Sequence, residues 1–442
     1  MDGAWVGGAR RSVAVIGAGI SGLSAAWLLR ERHAVTLYEA EPRLGGHADT
    51  QLVTLGGREV AVDTGFIVYN TLNYRHLTAL FAHLGVATEA SDMSFGVSIG
   101  AGKLEYGGGS IAQLFVQKRN IARPRFLAML RDVVRFYREA PLLLEADDHP
   151  SLGTYLDRNG YGVGFVEDHI LPMGAAIWSA SVTAMRDFPA RSFVRFFINH
   201  GLLRLTDRPT WRTVTGGSRR YVATIEATLG SGVRKGVPVL CIARDEAGVT
   251  VTLADGSTAR HDAVILATHG DEALKLLADT SDDERRVLGR VRTQANRMIL
   301  HTDTAQMPRR RGVWSSWNYI ARDHADHGRE VALTYWMNKL QNLATPEPLL
   351  VTLNPLAEPD PRRVLLEKTY RHPCYDAAMI RAQGELPGLQ GARNTWFCGA
   401  WTGYGFHEDG IASAVAAVRG LGVVPPWMEA EQEADKEAVL AA

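Results

Sequence analysis

Residues 13–46 read VAVIGAGISGLSAAWLLRERHAVTLYEAEPRLGG, and this stretch decides the fold. Val13 to Ile16 is a short β-branched apolar run, the pattern of a buried parallel strand. It enters Gly17-x-Gly19-x-x-Gly22, then a helix of small and apolar residues, Leu23 to Arg30, then a second strand, Ala34 to Tyr38, that ends at Glu39. Gly17 permits a tight turn, Gly19 lets the backbone approach a diphosphate, and Gly22 lets helix and strand pack closely. The helix N-terminus then faces the negative charge, and Glu39 is placed to accept hydrogen bonds from a ribose. A glycine triplet alone is a weak sign of a dinucleotide site. Strand, glycines, helix, strand and acid in register make a strong one.

Working outward, 442 residues are enough for two domains with substantial cores. The 48 basic and 48 acidic side chains cancel, so no global field draws the chain to nucleic acid. Cys241, Cys374 and Cys398 are too few and too scattered for a disulfide framework or a zinc site, and no metal is expected. The opening MDGAWVGGARR lacks the apolar core of a signal peptide, and no apolar run is long enough to span a bilayer. The expectation is a cytoplasmic protein that is at most peripheral to the inner membrane.

Alternation around Gly56-Gly57 predicts a hairpin that leads into Asp63-Thr64-Gly65-Phe66. Residues 110–145 read as helix, a break at Pro124, and helix again. Their bases, Lys118, Arg119, Arg123, Arg125, Arg131, Arg135 and Arg138, alternate with Phe115, Phe126, Leu130, Val134 and Tyr137. That pattern is either an amphipathic helix pair with a solvated face or a surface for anionic lipid headgroups. Residues 151–210 are mostly helical and strongly apolar, with Trp178 and three phenylalanines that either fill a core or line a greasy tunnel. A meander over 237–270 ends in the buried run Ala263 to Ala267, and 291–301 and 331–337 read as strands of a second sheet. WFCGAWTGYGFHEDGIAS then gives strand, glycine loop and helix, followed by an acidic, alanine-rich tail.

Three separated segments, 13–46, 237–270 and 396–413, together resemble the flavin-containing amine oxidoreductase superfamily of monoamine oxidases, protoporphyrinogen oxidases and phytoene desaturases. Arg43-x-Gly45-Gly46 after the acid separates that group from NAD dehydrogenases. The resemblance implies an α/β fold, with a discontinuous Rossmann-like FAD-binding domain (1–85, 211–290, 391–425) and an α+β substrate domain (86–210, 291–390). It implies non-covalent FAD, its diphosphate cradled by Gly17, Gly19, Ile20, Ser21 and Gly22, its adenosine ribose on Glu39 and Ala40, and its adenine on the main chain of Val239. Arg43, Gly45, Gly46 and His47 would follow the diphosphate and ribityl chain, with Gly399 and Thr268 nearby. Thr64, Gly65 and Phe66, the loop Gly405, Phe406, His407 and Asp409, and the helix start Gly410, Ile411 and Ala412 would surround the flavin. Amine oxidases of the superfamily commonly carry a lysine on the strand after the meander, whereas this strand reads TQANRMILHTD, with Asn296 or Arg297 in that neighbourhood.

GGHADT, MPRRRGVWSSWNY, LTYWMNKLQ and GFHEDGIASA look like a bacterial subgroup of FAD-binding proteins associated with cyclopropane-fatty-acid-synthase-type methyltransferases. That resemblance implies desaturation of a methyl-branched unsaturated acyl chain on a phospholipid, in furan fatty acid synthesis, and a methyltransferase partner. The alternatives are an oxygen-using amine or small-molecule oxidase and a non-catalytic flavin-holding partner of the methyltransferase. Tyr319, Tyr335 and His301 are the candidate catalytic bases, and Trp178, Trp317 and Trp336 the candidate cavity walls.

Overall fold

The structure, a computed structural model, describes residues 9–178, 180–204, 209–324 and 328–429. Most of the N-terminal lead-in and of the acidic tail lies outside the described residues. In chain order the main elements begin with β1 (Ser12–Ile16), α1 (Ile20–Leu29), β2 (Ala34–Glu39) and the hairpin β3 (Thr50–Leu55) and β4 (Arg58–Asp63). After α2 (Arg75–Leu84) come β5 (Phe95–Ile99), β6 (Leu104–Gly107), α3 (Pro124–Glu139), α4 (Leu171–Trp178), α5 (Ala190–Asn199) and α6 (Arg219–Leu229). Then follow β7 (Val233–Lys235), the meander β8 (Val239–Asp245), β9 (Gly248–Leu253) and β10 (Thr258–His261), β11 (Ala263–Leu266) and α7 (Gly270–Leu276). The chain continues through β12 (Thr293–His301), β13 (Trp317–His324), β14 (Gly328–Trp336), β15 (Leu350–Leu353) and β16 (Val364–Pro373), and closes with β17 (Thr395–Phe397) and α8 (His407–Gly420).

The first sheet is parallel, in the order β7-β2-β1-β11-β17, with Val13 opposite both Val35 and Ala263. Successive residues of β1 point to opposite faces, and both faces are covered. Val13 and Val15 enter one core with α1 and α8, while Ala14 and Ile16 enter another with the meander and Met379. This is why the strand reads as an unbroken apolar run. A second sheet of seven strands, in the order β16-β12-β15-β14-β13-β5-β6, packs against the helices between 124 and 199 to form the third core. The mixed α/β architecture with a Rossmann-like sheet is therefore as the sequence predicts. One local reading changes. Pro124 starts α3 at its first turn, where its missing N–H costs nothing, and a short 3-10 turn over 118–122 precedes it.

Candidate active site

A cavity of about 780 Å³ runs from the C-terminal ends of β1 and β2 to the aromatic helices. At the β1 end, Gly17 has φ 95°, and a Cβ there would lie 3.0 Å from the carbonyl oxygen of Ala267. A Cβ on Gly22 would overlap the carbonyl oxygen of Gly17, so helix and turn touch through backbone. Gly19 differs: a Cβ there would meet nothing within 4 Å, because that position faces the cavity. Glu39 accepts hydrogen bonds from Ala18 N (2.7 Å) and Glu41 N (2.9 Å), which fixes its carboxylate on the wall. Arg43 stands behind the wall, donating to Gly46 O (2.9 Å) and pairing with buried Asp49 (3.2 Å). Open backbone, a helix N-terminus and an adjacent carboxylate fit an FAD diphosphate and ribose.

Further along, Thr64, Gly65 and Phe66 leave β4 and line the cavity opposite Gly399 and the loop Gly405 to His407. The His407 ring stacks on Phe66 (3.6 Å between centroids), and its Nε2 meets the Tyr221 hydroxyl at 3.1 Å. Between the two sheets sits a cluster that the sequence reading gave only in part: His47, His269, Tyr370 and His372, all on the wall. The rings of Tyr370 and His372 lie 5.2 and 5.3 Å from His47. The Nε2 of His47 is buried without a hydrogen-bond partner. Burial, reinforced by His372 and His269, pushes His47 down to about 3, and burial with His269 pushes His372 down to about 4. Both imidazoles are neutral near pH 7.

The proton on His372 can be assigned from its hydrogen-bond network, which is anchored on backbone. Arg297 N–H donates to Asn354 Oδ1 (3.0 Å), so the Asn354 amide donates to Asn296 Oδ1 (2.8 Å). Asn296 Nδ2 must then donate to His372 Nδ1 (2.9 Å), which leaves the His372 proton on Nε2. Two asparagines thus hold His372 as an N–H donor.

Beyond the cluster the wall turns apolar, with Met173, Ile177 and Trp178 from α4, Phe196 from α5, and Leu202, Trp211, Trp317, Tyr335 and Leu353. Trp178 is fixed by Phe188 (4.6 Å), by Phe196 (4.7 Å) and by a hydrogen bond to Tyr404 O (3.2 Å). None of residues 110–145 lines this arm.

A family profile described as flavin containing amine oxidoreductase matches residues 20–309, well over half the chain. The protein belongs to this family. It is accordingly an FAD-dependent oxidoreductase. No curated protein matches the sequence significantly. Solved structures with this fold include the CLA-producing fatty acid isomerase from P. acnes, 16% identical, covering 92% of this chain and 98% of that one, TM-score 0.63. Cyclohexylamine oxidase from Brevibacterium oxydans is 16% identical over 93% and 98% (TM-score 0.63), and reduced UDP-galactopyranose mutase 16% over 93% and 96% (TM-score 0.66). At that identity the likeness carries the fold alone.

Within this flavin-containing family, most of the residues expected around FAD from the sequence line the cavity, including Gly17, Gly19, Ile20, Ser21, Ala40, Val239 and Thr268. Gly22, Arg43, Gly45, Asp409, Gly410, Ile411 and Ala412 do not. Asp409 instead caps its own loop by accepting Phe406 N–H (2.9 Å), a Cβ on Gly410 would sit 2.7 Å from Ile20 Cγ2, and Ile411 is core. Trp178, Trp317 and Tyr335 are on the wall, but three expectations are corrected. Trp336 packs edge-on against Trp314, His301 is buried against Thr352 Oγ1 (2.7 Å), and Tyr319 faces a separate cavity of about 640 Å³. The strand expected to carry a lysine supplies buried Asn296 behind His372, while Arg297 turns outward to Glu358 and Glu367.

Proposed function

We propose that the protein desaturates a methyl-branched, unsaturated fatty acyl chain carried on a membrane phospholipid. The observation behind this reading is the chemistry of the substrate arm. The carboxylates and the lysine on the cavity wall, Glu39, Glu41, Glu272 and Lys275, come from β2, the turn after it and α7, at the FAD end. The arm between Met173 and Trp317 has none, and burying acyl methylenes there gains about 0.8 kcal/mol each. When bound, FAD supplies the acceptor for a hydride leaving an allylic C–H. The second hydrogen leaves as a proton as the C=C bond forms. That proton passes to water, since burial leaves His47 too weak a base to hold it, and His372 offers its Nε2–H as a donor on the same wall.

The test is anaerobic incubation of the FAD-loaded protein with a methyl-branched unsaturated phospholipid. Bleaching of the oxidised flavin and a product two hydrogens lighter are expected. An unbleached flavin with this lipid, together with bleaching by a simple amine, refutes the reading. Oxidation of an amine with oxygen is the second reading, favoured by Trp178, Trp317, Tyr335 and Tyr404, which offer aromatic faces to a cation. Peroxide release on adding a soluble amine in air would carry it.

A further inference from the structure

The run Arg309-Arg310-Arg311 is far in sequence from Lys103 and from Lys118 to Arg123, yet the fold gathers them on one surface. Gly102 and Lys103, in the turn between β5 and β6, are the meeting point. Arg119 and Arg123 donate to Lys103 O (2.5 and 3.0 Å), and Arg310 donates to Gly102 O (3.2 Å). The Arg309 side chain lies against Gly102, where a Cβ would be 2.8 Å from its Cδ. The turn Arg311–Val313 packs on Val116, with the Arg311 guanidinium 5.2 Å from the Trp314 ring. Among the described ion pairs, only Glu105 meets any of these cations, through Arg310 (2.6 Å), and it is fully buried. Helix α3 is different. Three of its four arginines, Arg125, Arg131 and Arg135, are paired with Asp168, Asp132 and Glu139.

Beside the cations, Ile111 is 77% and Ile121 59% exposed, a cost to the free protein that a purely polar partner would not relieve. We infer that this surface, centred on Lys103, Lys118, Arg119 and Arg309 to Arg311, docks on an anionic lipid bilayer, with Ile111 and Ile121 entering the headgroup boundary. Two connections run from it to the substrate arm. Strand β5 starts at Phe95 on the cavity wall, and Arg311 is six residues before Trp317. The inference deepens the phospholipid reading, which supplies its purpose, but binding is measured without turnover, so either can fail alone.

The FAD-loaded protein is sedimented with vesicles of phosphatidylcholine, with and without an equal part of phosphatidylglycerol, at low and high salt. Binding to the anionic vesicles, lost at high salt and absent on phosphatidylcholine alone, is expected. At roughly fivefold per cation, K118E/R309E/R311E should lower partitioning at least a hundredfold, whereas R32E/R58E/R362E, on other surfaces, should change it little. I111S/I121S should weaken vesicle binding at least fivefold while leaving retention on a sulfonate resin unchanged. Flavin content and melting temperature confirm that each variant is folded. Wild-type binding that ignores lipid charge, equal partitioning by the triple variant, or binding to duplex DNA without binding to vesicles overturns the inference.

Discussion

Asn296→Asp tests how the histidine cluster is set with a change of one atom. In the wild type Asn296 donates to His372 Nδ1 and accepts from Asn354. An aspartate keeps the shape and still accepts from Asn354, but it can only accept from His372. The imidazole proton must move to Nδ1, and the cation becomes stabilised by a carboxylate at about the present 2.9 Å. A neighbouring carboxylate raises a pKa by roughly 1–3 units, so His372 should climb from about 4 towards neutrality. Its present depression below the ordinary 6.5 means that the folded state resists protonation. Stability is therefore lost as pH falls from 6.5 to about 4, by on the order of 3 kcal/mol from this group. Asn296→Asp should remove that part of the acid slope. Histidine-selective ¹⁵N NMR reads tautomer and pKa directly, and urea melts against pH read the slope. An unchanged Nε2–H tautomer in the variant, or a His372 pKa still near 4, would refute the asparagine relay.

The remaining predictions concern other parts of the molecule. Gly19→Ala should leave the apo protein as stable as wild type, since its Cβ meets nothing, but weaken FAD about a hundredfold, which removes about 2.7 kcal/mol of ligand-dependent stabilisation in a melt at saturating FAD. Gly22→Ala should instead destabilise the apo fold by about 3 kcal/mol through backbone overlap, measurable in urea. Arg244→Met should cost about 3–5 kcal/mol, because it strands buried Glu284, now held by two hydrogen bonds of 2.5 and 2.9 Å. Burial pushes Asp409 up to about 7, so the folded state favours its protonated form and stability falls as pH rises from about 4 to 7. Asp409→Asn should flatten that decline in a pH series of melts.

How much of this was legible in the sequence depends on the range over which each signal acts. The turn from Val13 to Glu39 is read from neighbours in the chain, and its strand, glycines and acid fall in the structure where spacing puts them. Trp317, read as a wall residue, and Tyr335, read as a candidate base, both reach the wall because they are cross-strand partners at one end of β13 and β14. Trp336 does not, because a single residue along a strand reverses the face, and Tyr319 lies two residues further along, beyond the cavity end. His301 shares a face with Ile299, opposite to Asn296, so it points away from the histidines. His372 carries no local mark. Its neighbours are set by the pairing of β12 with β16, where Tyr370 lies opposite Asn296, and only that register brings Asn296 and His372 together. Likewise residues 110–145 were read as one basic stretch, but acids pair with Arg125, Arg131 and Arg135 on α3, and that Arg309 to Arg311 join Lys118, Arg119 and Arg123 on one surface depends on a turn some two hundred residues earlier.

The family's name points to amines, and the cavity wall gives a way to decide between an amine and an acyl chain by pH alone. A protonated amine entering the apolar arm leaves water without meeting a carboxylate, which costs several kcal/mol. Aromatic faces such as Trp178 and Tyr404 return only about 0.5–2 kcal/mol. Such a substrate would therefore enter as the free base, whose population rises tenfold per pH unit below the amine's own pKa. The kcat/KM of the protein for any amine should then climb with unit slope from pH 6 to 8. His47 and His372 cannot mask the slope, because both are already neutral throughout that range. An acyl chain has no such group, and its apolar transfer into the arm is independent of pH. Flavin reduction by the phospholipid should be level over the same interval. A level profile for an amine, or a unit slope for the lipid, would show that the charge-free arm does not select the substrate.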